Sequence, residues 1–159
     1  MIYHIIWTTY GTWLHGDERG SLKKGIPIIQ PPDPSVVEAM RTKMTAEKVL
    51  LSKSQQLIVT DTIVEVCKWK QWQLFALAVV VNHVHIVLAS DKEGKQTHNQ
   101  LKAWCSRRLT ETLTEHNIKQ GFEQPKKWFT ERGYIRIIEN ETYLEEAVKY
   151  VEAQKMPEV

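Results

Sequence analysis

Leu74-Phe75-Ala76-Leu77-Ala78-Val79-Val80-Val81-Asn82-His83-Val84-His85-Ile86-Val87-Leu88-Ala89 is the stretch on which the fold turns. Every side chain from Leu74 to Val81 is apolar, the pattern of a strand buried on both faces rather than of a half-exposed one. Asn82 breaks the run, and Val84, Ile86, Val87 and Leu88 resume it through Ala89. The segment therefore reads as two strands joined by a tight turn near Asn82, or as one bent strand. Side chains alternate along a strand, so His83 and His85 project from one face and Val84 from the other.

Working outward, residues 2–9 read as a strand rich in β-branched and aromatic residues (Ile2, Ile5, Ile6, Trp7, Thr8, Thr9). A long Gly/Pro-rich loop at about 11–34 follows, marked by Gly11, Gly16, Gly20, Gly25, Pro27 and Pro31-Pro32-Asp33-Pro34. Asp33-Pro34-Ser35 offers start signals for a helix over Val36–Met44. A second helix is expected from about Ser52 to Trp69, with Leu57, Ile58, Val64 and Cys67 as its buried face. Beyond the histidines, Asp91–Lys95 form a polar loop. A helix then runs from about Thr97 to His116 with Leu101, Trp104, Cys105, Leu109 and Leu113 inward. Gly121 to Lys127 is a loop, Tyr134–Ile138 a short strand and Glu141–Lys155 the last helix. The order β-α-β-β-α-β-α predicts an α+β fold: a ferredoxin-like βαββαβ sheet with an additional C-terminal helix, in a single domain spanning 1–159. Such a fold hosts unrelated functions, so the site has to carry the functional claim.

Composition narrows the classes. The 159 residues, 42% hydrophobic and 25% charged, suit one folded domain rather than a disordered chain. No apolar run approaches the roughly 18 residues of a membrane span. The start, Met1-Ile2-Tyr3-His4-Ile5-Ile6-Trp7, lacks the parts of a signal peptide. Cys67 and Cys105 stand alone in apparent helices, neither a disulfide framework nor a metal knuckle, and a cytoplasmic location is the default. A net charge of +2 neither demands nor excludes nucleic acid, so any phosphate-binding surface must come from local clustering. Trp7, Trp69, Trp72, Trp104 and Trp128 each lie within three residues of a Lys, Arg or His, which suits base stacking and equally suits snorkelled packing.

Two imidazoles about 7 Å apart along a strand can converge on one divalent ion without completing its site. The alternative is a pair of surface or hydrogen-bonded histidines. Inside an otherwise apolar central strand, however, two polar rings need a partner, which favours the metal. Leu88-Ala89-Ser90 stands where a cupin-type site would need a Glu, and no second His-x-Ser/Thr copy exists for a two-histidine phosphoesterase. His4, His15, His98 and His116 lack that context, and a structural zinc site would want more Cys or His nearby. A third ligand must come from another element.

Asn82-His83-Val84-His85-Ile86-Val87-Leu88 after a buried strand resembles the His-hydrophobic-His motif of HUH endonucleases. In particular it resembles the single-tyrosine transposases of small insertion sequences and the REP-associated tyrosine transposases. The opening Tyr3-His4-Ile5-Ile6-Trp7-Thr8-Thr9-Tyr10-Gly11-Thr12-Trp13-Leu14, with Gly16-Asp17 and Arg19-Gly20, is similar to the N-terminal signature of a branch of these proteins. Val148-Lys149-Tyr150-Val151-Glu152-Ala153-Gln154 is similar to the family's tyrosine helix. The tripeptide alone is weakly specific; the ordered triple is fairly specific.

Tyr134, Tyr143 and Tyr150 follow the histidines. Tyr134 opens an apolar strand and suits packing. In the last helix Leu144, Ala147, Val148 and Val151 define the buried face, with Tyr150 at its flank and Gln154 one turn beyond. The resemblance implies Tyr150 as nucleophile and Gln154 as third ligand beside His83 and His85. Tyr143 lies on nearly the same stripe, and helical geometry alone leaves it open, although Ala147 rather than an amide follows it. The implied reaction is nicking and strand transfer of single-stranded or hairpin DNA through a 5′-phosphotyrosine link. Two imidazoles and one amide favour Mg²⁺ or Mn²⁺ over Zn²⁺. Lys102, Arg107, Arg108, Lys126 and Lys127 are candidates for DNA contact, with Trp104 and Trp128 among them, and Arg19, Lys23 and Lys24 lie in the early loop. The alternatives are a catalytically silent nucleic-acid-binding module on the same fold and an unrelated metal-dependent hydrolase. Insertion-sequence relatives pair two chains and repeat-associated relatives can work alone, so both a homodimer and a monomer stay open. The chain ends at Val159, soon after Gln154, which leaves any extra binding surface to the early loop or a partner chain.

Overall fold

A computed structural model describes residues 1–11, 49–116 and 127–154. It contains β1 (Ile2–Thr9), α1 (Lys53–Lys70), β2 (Gln73–Val79), β3 (His83–Ala89), α2 (Gly94–His116), β4 (Phe129–Ile138) and α3 (Glu141–Gln154). The strands form one four-stranded sheet in the order β2-β3-β1-β4, every neighbouring pair antiparallel. Two split β-α-β units thus interleave: β1 and β2 flank β3, while β3 and β4 flank β1. The fold is the α+β ferredoxin-like arrangement with an added helix. The expected helix over Val36–Met44, and nearly all of the loops at 11–34 and 121–127, lie outside the described residues.

Alternation along the strands sorts the molecule into layers. Tyr3, Ile5 and Trp7 of β1 and Val84, Ile86 and Leu88 of β3 meet Val59, Ile63, Val66 and Cys67 of α1 and Leu101, Cys105 and Leu109 of α2 in the main core. The other face is smaller. There Ala76, Ala78, Val87 and Ile138 pack against Ala147 and Val151 of α3. Small residues on β2 bring α3 close to the sheet.

Three expectations change. The apolar run at 74–81 is the edge strand β2, ending at Val79, with Phe75, Leu77 and Val79 only half-buried. Helices do cover both of its faces, but among the described residues its outer backbone edge has no strand partner, and a register shift falls between Leu74 and Ala76. On α1 the buried stripe is Val59, Ile63, Val66 and Cys67, whereas Leu57 is exposed and Val64 half-buried. Leu57-Ile58-Val59 and Ile63-Val64 offer two adjacent apolar stripes, and helical period cannot choose between them. Finally, β4 begins at Phe129 rather than Tyr134, because Thr130-Glu131-Arg132-Gly133 is a polar edge segment without a strand's apolar alternation. Trp7, Trp72 and Trp128 are core residues; Trp69 is exposed and Trp104 half-buried.

Candidate active site

The turn between β2 and β3 delivers the histidines. Val80 N–H donates to the His83 carbonyl at 3.0 Å, and Thr9 N–H donates to the Asn82 carbonyl at 2.9 Å, tying the turn to β1. With Val84 buried in the main core, His83 and His85 face the α3 side. Their rings lie 4.8 Å apart, centroid to centroid. The Asn82 side chain then fixes a tautomer. His83 Nδ1 meets Asn82 Oδ1 at 2.6 Å, and an amide oxygen can only accept. With the amide so oriented, Nδ1 is the donor of this bond.

β1 lies beside β3 with Ile6 opposite His85 and Thr8 opposite His83, so His4 emerges on the same face. Its ring is 5.9 Å from that of His85. On the other side of β1, Tyr134 of β4 meets the His4 ring edge-on at 6.0 Å. Ala147 and Val151 anchor α3 above this face, and Tyr150 stands at the flank with its ring 5.6 Å from His85 and 5.8 Å from His4. Tyr150 remains 47% exposed, so its ring, beside two histidines, is open to a large partner molecule. Gln154, the last residue of α3, is half-buried one turn further on. Tyr143 sits two turns earlier, roughly 10 Å along the helix axis. Its ring lies beneath the Arg136 guanidinium at 4.3 Å. The geometry thus separates the two tyrosines that the sequence left open: Tyr150 joins the histidine rings, and Tyr143 joins Arg136.

Burial keeps His85 and His4 neutral. His85 is pulled down to about 3, by desolvation first and then by the neighbouring His83 and His4. His4 is pulled down to about 4, by desolvation and then by Arg136. Neutral imidazole is the form that binds a metal ion. His85 Nδ1 is buried without a hydrogen-bond partner, a cost that a bound ion nearby would help to offset. The residues fit a divalent ion for which His83 and His85 supply two donors. Among the described residues no group of three His, Cys, Asp or Glu is placed to hold a metal, so further donors would be an amide, water or substrate oxygens.

The basic candidates lie elsewhere. Lys102, Arg107 and Arg108 are on α2, which covers the opposite face of the sheet. The Lys102 ammonium donates to the carbonyls of Thr130 (2.7 Å) and Glu131 (2.9 Å), and burial lowers its pKa. Arg108 pairs with Glu65 at 3.2 Å and Lys127 with Glu131 at 3.4 Å. Arg107 lies over the Trp104 ring at 4.7 Å. A groove of about 560 Å³ between α2 and the start of β4 brings Lys102, Arg107 and Lys127 together with Thr110, Trp128 and Glu131. Arg19, Lys23, Lys24 and Lys126 lie outside the described residues. His4 is the site residue that the sequence did not bring forward. The available signal was a polar ring in a strand of apolar neighbours, placed beside His85 by strand pairing.

Comparison with known proteins places this geometry in context. One solved structure, a REP-associated tyrosine transposase bound to a REP hairpin, is similar over 94% of this chain at 11% identity and a TM-score of 0.49. This chain spans 63% of the length of that one. A second, a candidate transposase of Deinococcus radiodurans R1, is similar over 98% of this chain and 91% of its own, at 17% identity and a TM-score of 0.45. No curated protein matches. Residues 39–154 match the model of the family described as "Transposase IS200 like", a stretch that takes in His83, His85, Tyr150 and Gln154 and leaves β1 with His4 outside. The chain belongs to the IS200-like transposase family.

Proposed function

We propose that this transposase cuts and rejoins single-stranded or hairpin DNA through a covalent link to Tyr150, with Mg²⁺ or Mn²⁺ held by His83, His85 and Gln154. The observation that carries the reading is the Tyr150 ring beside that of His85, 5.6 Å away, on the flank of a helix that leaves it open to substrate. The Tyr150 oxygen attacks phosphorus and the bond from phosphorus to the 3′ oxygen breaks. A 5′-phosphotyrosine and a free 3′-hydroxyl result, the phenolic proton passing to solvent and the departing 3′ oxygen taking one up from it. Because the new ester preserves a phosphodiester, the 3′-hydroxyl of another strand end can reverse the step without ATP. A free phenol has a pKa near 10 and is a poor nucleophile at neutral pH, so the step needs help. A divalent ion supplies it by neutralising charge on the scissile phosphate. His83 and His85 would hold that ion, His85 in neutral form, Asn82 contacts the ring of His83, and the packing of α3 aims Tyr150.

The α2–β4 groove with Lys102, Arg107 and Lys127 is the proposed track for flanking phosphates. In this reading Tyr150 acts with the histidines of its own chain, and a homodimer would pair two such sites.

Labelled hairpin DNA incubated with the protein and Mn²⁺, then run on a denaturing gel, tests the reading. The expected result is a covalent protein–DNA band that chelator removes, that Tyr150→Phe abolishes and that Tyr143→Phe retains. Cleavage without a covalent band would point to a hydrolase instead. Binding without cleavage would point to a silent DNA-binding module.

A further inference from the structure

His4 is the one imidazole of the cluster that the strand-transfer chemistry has not used. It is 6% exposed, and its ring sits in the middle of the site: 5.9 Å from His85, 6.0 Å from Tyr134 and 5.8 Å from Tyr150. Its Nε2 is buried with no hydrogen-bond partner. A buried ring nitrogen without a partner is destabilising, and a phenylalanine would fill a similar space without that penalty. A third metal ligand would explain the nitrogen, but no three histidines here are placed to share an ion. Tyr134 is held at β4, and His85 is committed to the proposed metal. The exposed neighbour is Tyr150, whose side chain is half in solvent and lies over the site in ring contact with His85 and His4. Once His85 engages an ion, His4 is the contact free to stay with the phenol.

We propose that His4 is a positioning residue: wedged between Tyr134 and His85, it takes up a hydrogen bond from its Nε2 to the Tyr150 hydroxyl when DNA enters, aiming the phenol at phosphorus. This rests on Tyr150 being the nucleophile. The hydrogen bond moves no proton and needs no further reactant. It explains why a polar ring occupies a site between apolar neighbours on β1, and why that ring lies on the tyrosine side of the histidine pair.

Three measurements on His4→Phe, His4→Gln and the unaltered protein test it. Mn²⁺ affinity by calorimetry and hairpin affinity by fluorescence anisotropy should stay within about threefold in both variants, since His4 touches neither. The single-turnover rate of covalent adduct formation should fall at least tenfold in His4→Phe and recover in part in His4→Gln, whose amide nitrogen reaches the place of Nε2. With 3-fluorotyrosine at position 150, the ¹⁹F resonance in the DNA complex without metal should differ between His4→Phe and the unaltered protein. An adduct rate in His4→Phe equal to that of the unaltered protein would overturn the inference, as would equal loss of Mn²⁺ affinity and rate. If Tyr150→Phe itself still forms the adduct, the strand-transfer reading fails at its nucleophile. If Tyr150→Phe is inactive while His4→Phe is fully active, only the role of His4 fails.

Discussion

Asn82 serves the site twice. Its backbone carbonyl ties the β2–β3 turn to Thr9, and its side-chain oxygen holds the proton of His83 on Nδ1. Removing only the side chain leaves the turn and releases the ring. Asn82→Ala should therefore weaken Mn²⁺ binding by about tenfold, in the range found when partners behind metal-ligating histidines are lost. Calorimetric titration of the metal-free protein checks this, and Asn82→Asp, which keeps an acceptor, should retain most of the affinity. At this scale the sequence was legible wherever the argument was local. That His83 and His85 share a face follows from the two-residue period of a strand, and that Gln154 stands one turn beyond Tyr150 follows from the helical period, while the roles given to Tyr150 and Gln154 came from the family resemblance. His4 was not legible in the same way, because its meeting with His85 depends on the pairing of β1 with β3, a register between segments far apart in the chain.

Gly133 shows what a strand can hide at the element scale. It lies in β4 opposite Trp7, and a Cβ there would stand 2.6 Å from His98 Cε1 and 2.7 Å from the Ile6 carbonyl oxygen. The carbonyl belongs to the central strand and cannot turn away as a side chain would. Gly133→Ala should cost about 1–3 kcal/mol, the range for overpacking a well-filled interior, read as a lower urea midpoint at unchanged slope. The same segment explains why the start of β4 escaped a reading by pattern: Gly133 and Phe129 pair with Trp7 and Thr9 across an irregularity in register, and the residues between them carry no apolar alternation. The turn at Asn82, the strand of β1 and the extent of α3 were legible because each is bounded by local chemistry. The edge position of β2 was not. An apolar run reports that both faces are covered, which they are, and says nothing about what lies alongside.

Across the whole molecule, the large core and the histidine–tyrosine cluster divide between the two faces of the sheet. α1 and α2 bury the large core, while α3 rests on a small-residue patch and presents Tyr150. On the scaffold face His98 is buried against Trp7, and its pKa is pulled down to about 3, by desolvation first and then by Lys102. It is therefore neutral in the fold and titrates near 6.5 when unfolded. As pH falls from about 6.5 toward 3, the unfolded chain takes up a proton that the native state excludes, so stability declines by up to about 1.4 kcal/mol per pH unit for this group. His4 and His85, lowered for the same first reason, act in the same direction in the metal-free protein. Urea midpoints at pH 7 and pH 5 should show the loss, and His98→Gln should show less of it. Fold class was legible in the order of elements; the division of labour between faces was not, because it depends on which helix covers which side. The central claim is that Tyr150 makes the covalent bond to DNA. Trypsin separates the candidates, since Lys149 divides a peptide beginning at Tyr150 from the one holding Tyr143. Mass spectrometry of the denatured, nuclease-trimmed adduct should find the phosphonucleotide on the Tyr150 peptide. A remnant on the Tyr143 peptide, or cleaved DNA with no modified peptide, would contradict the account.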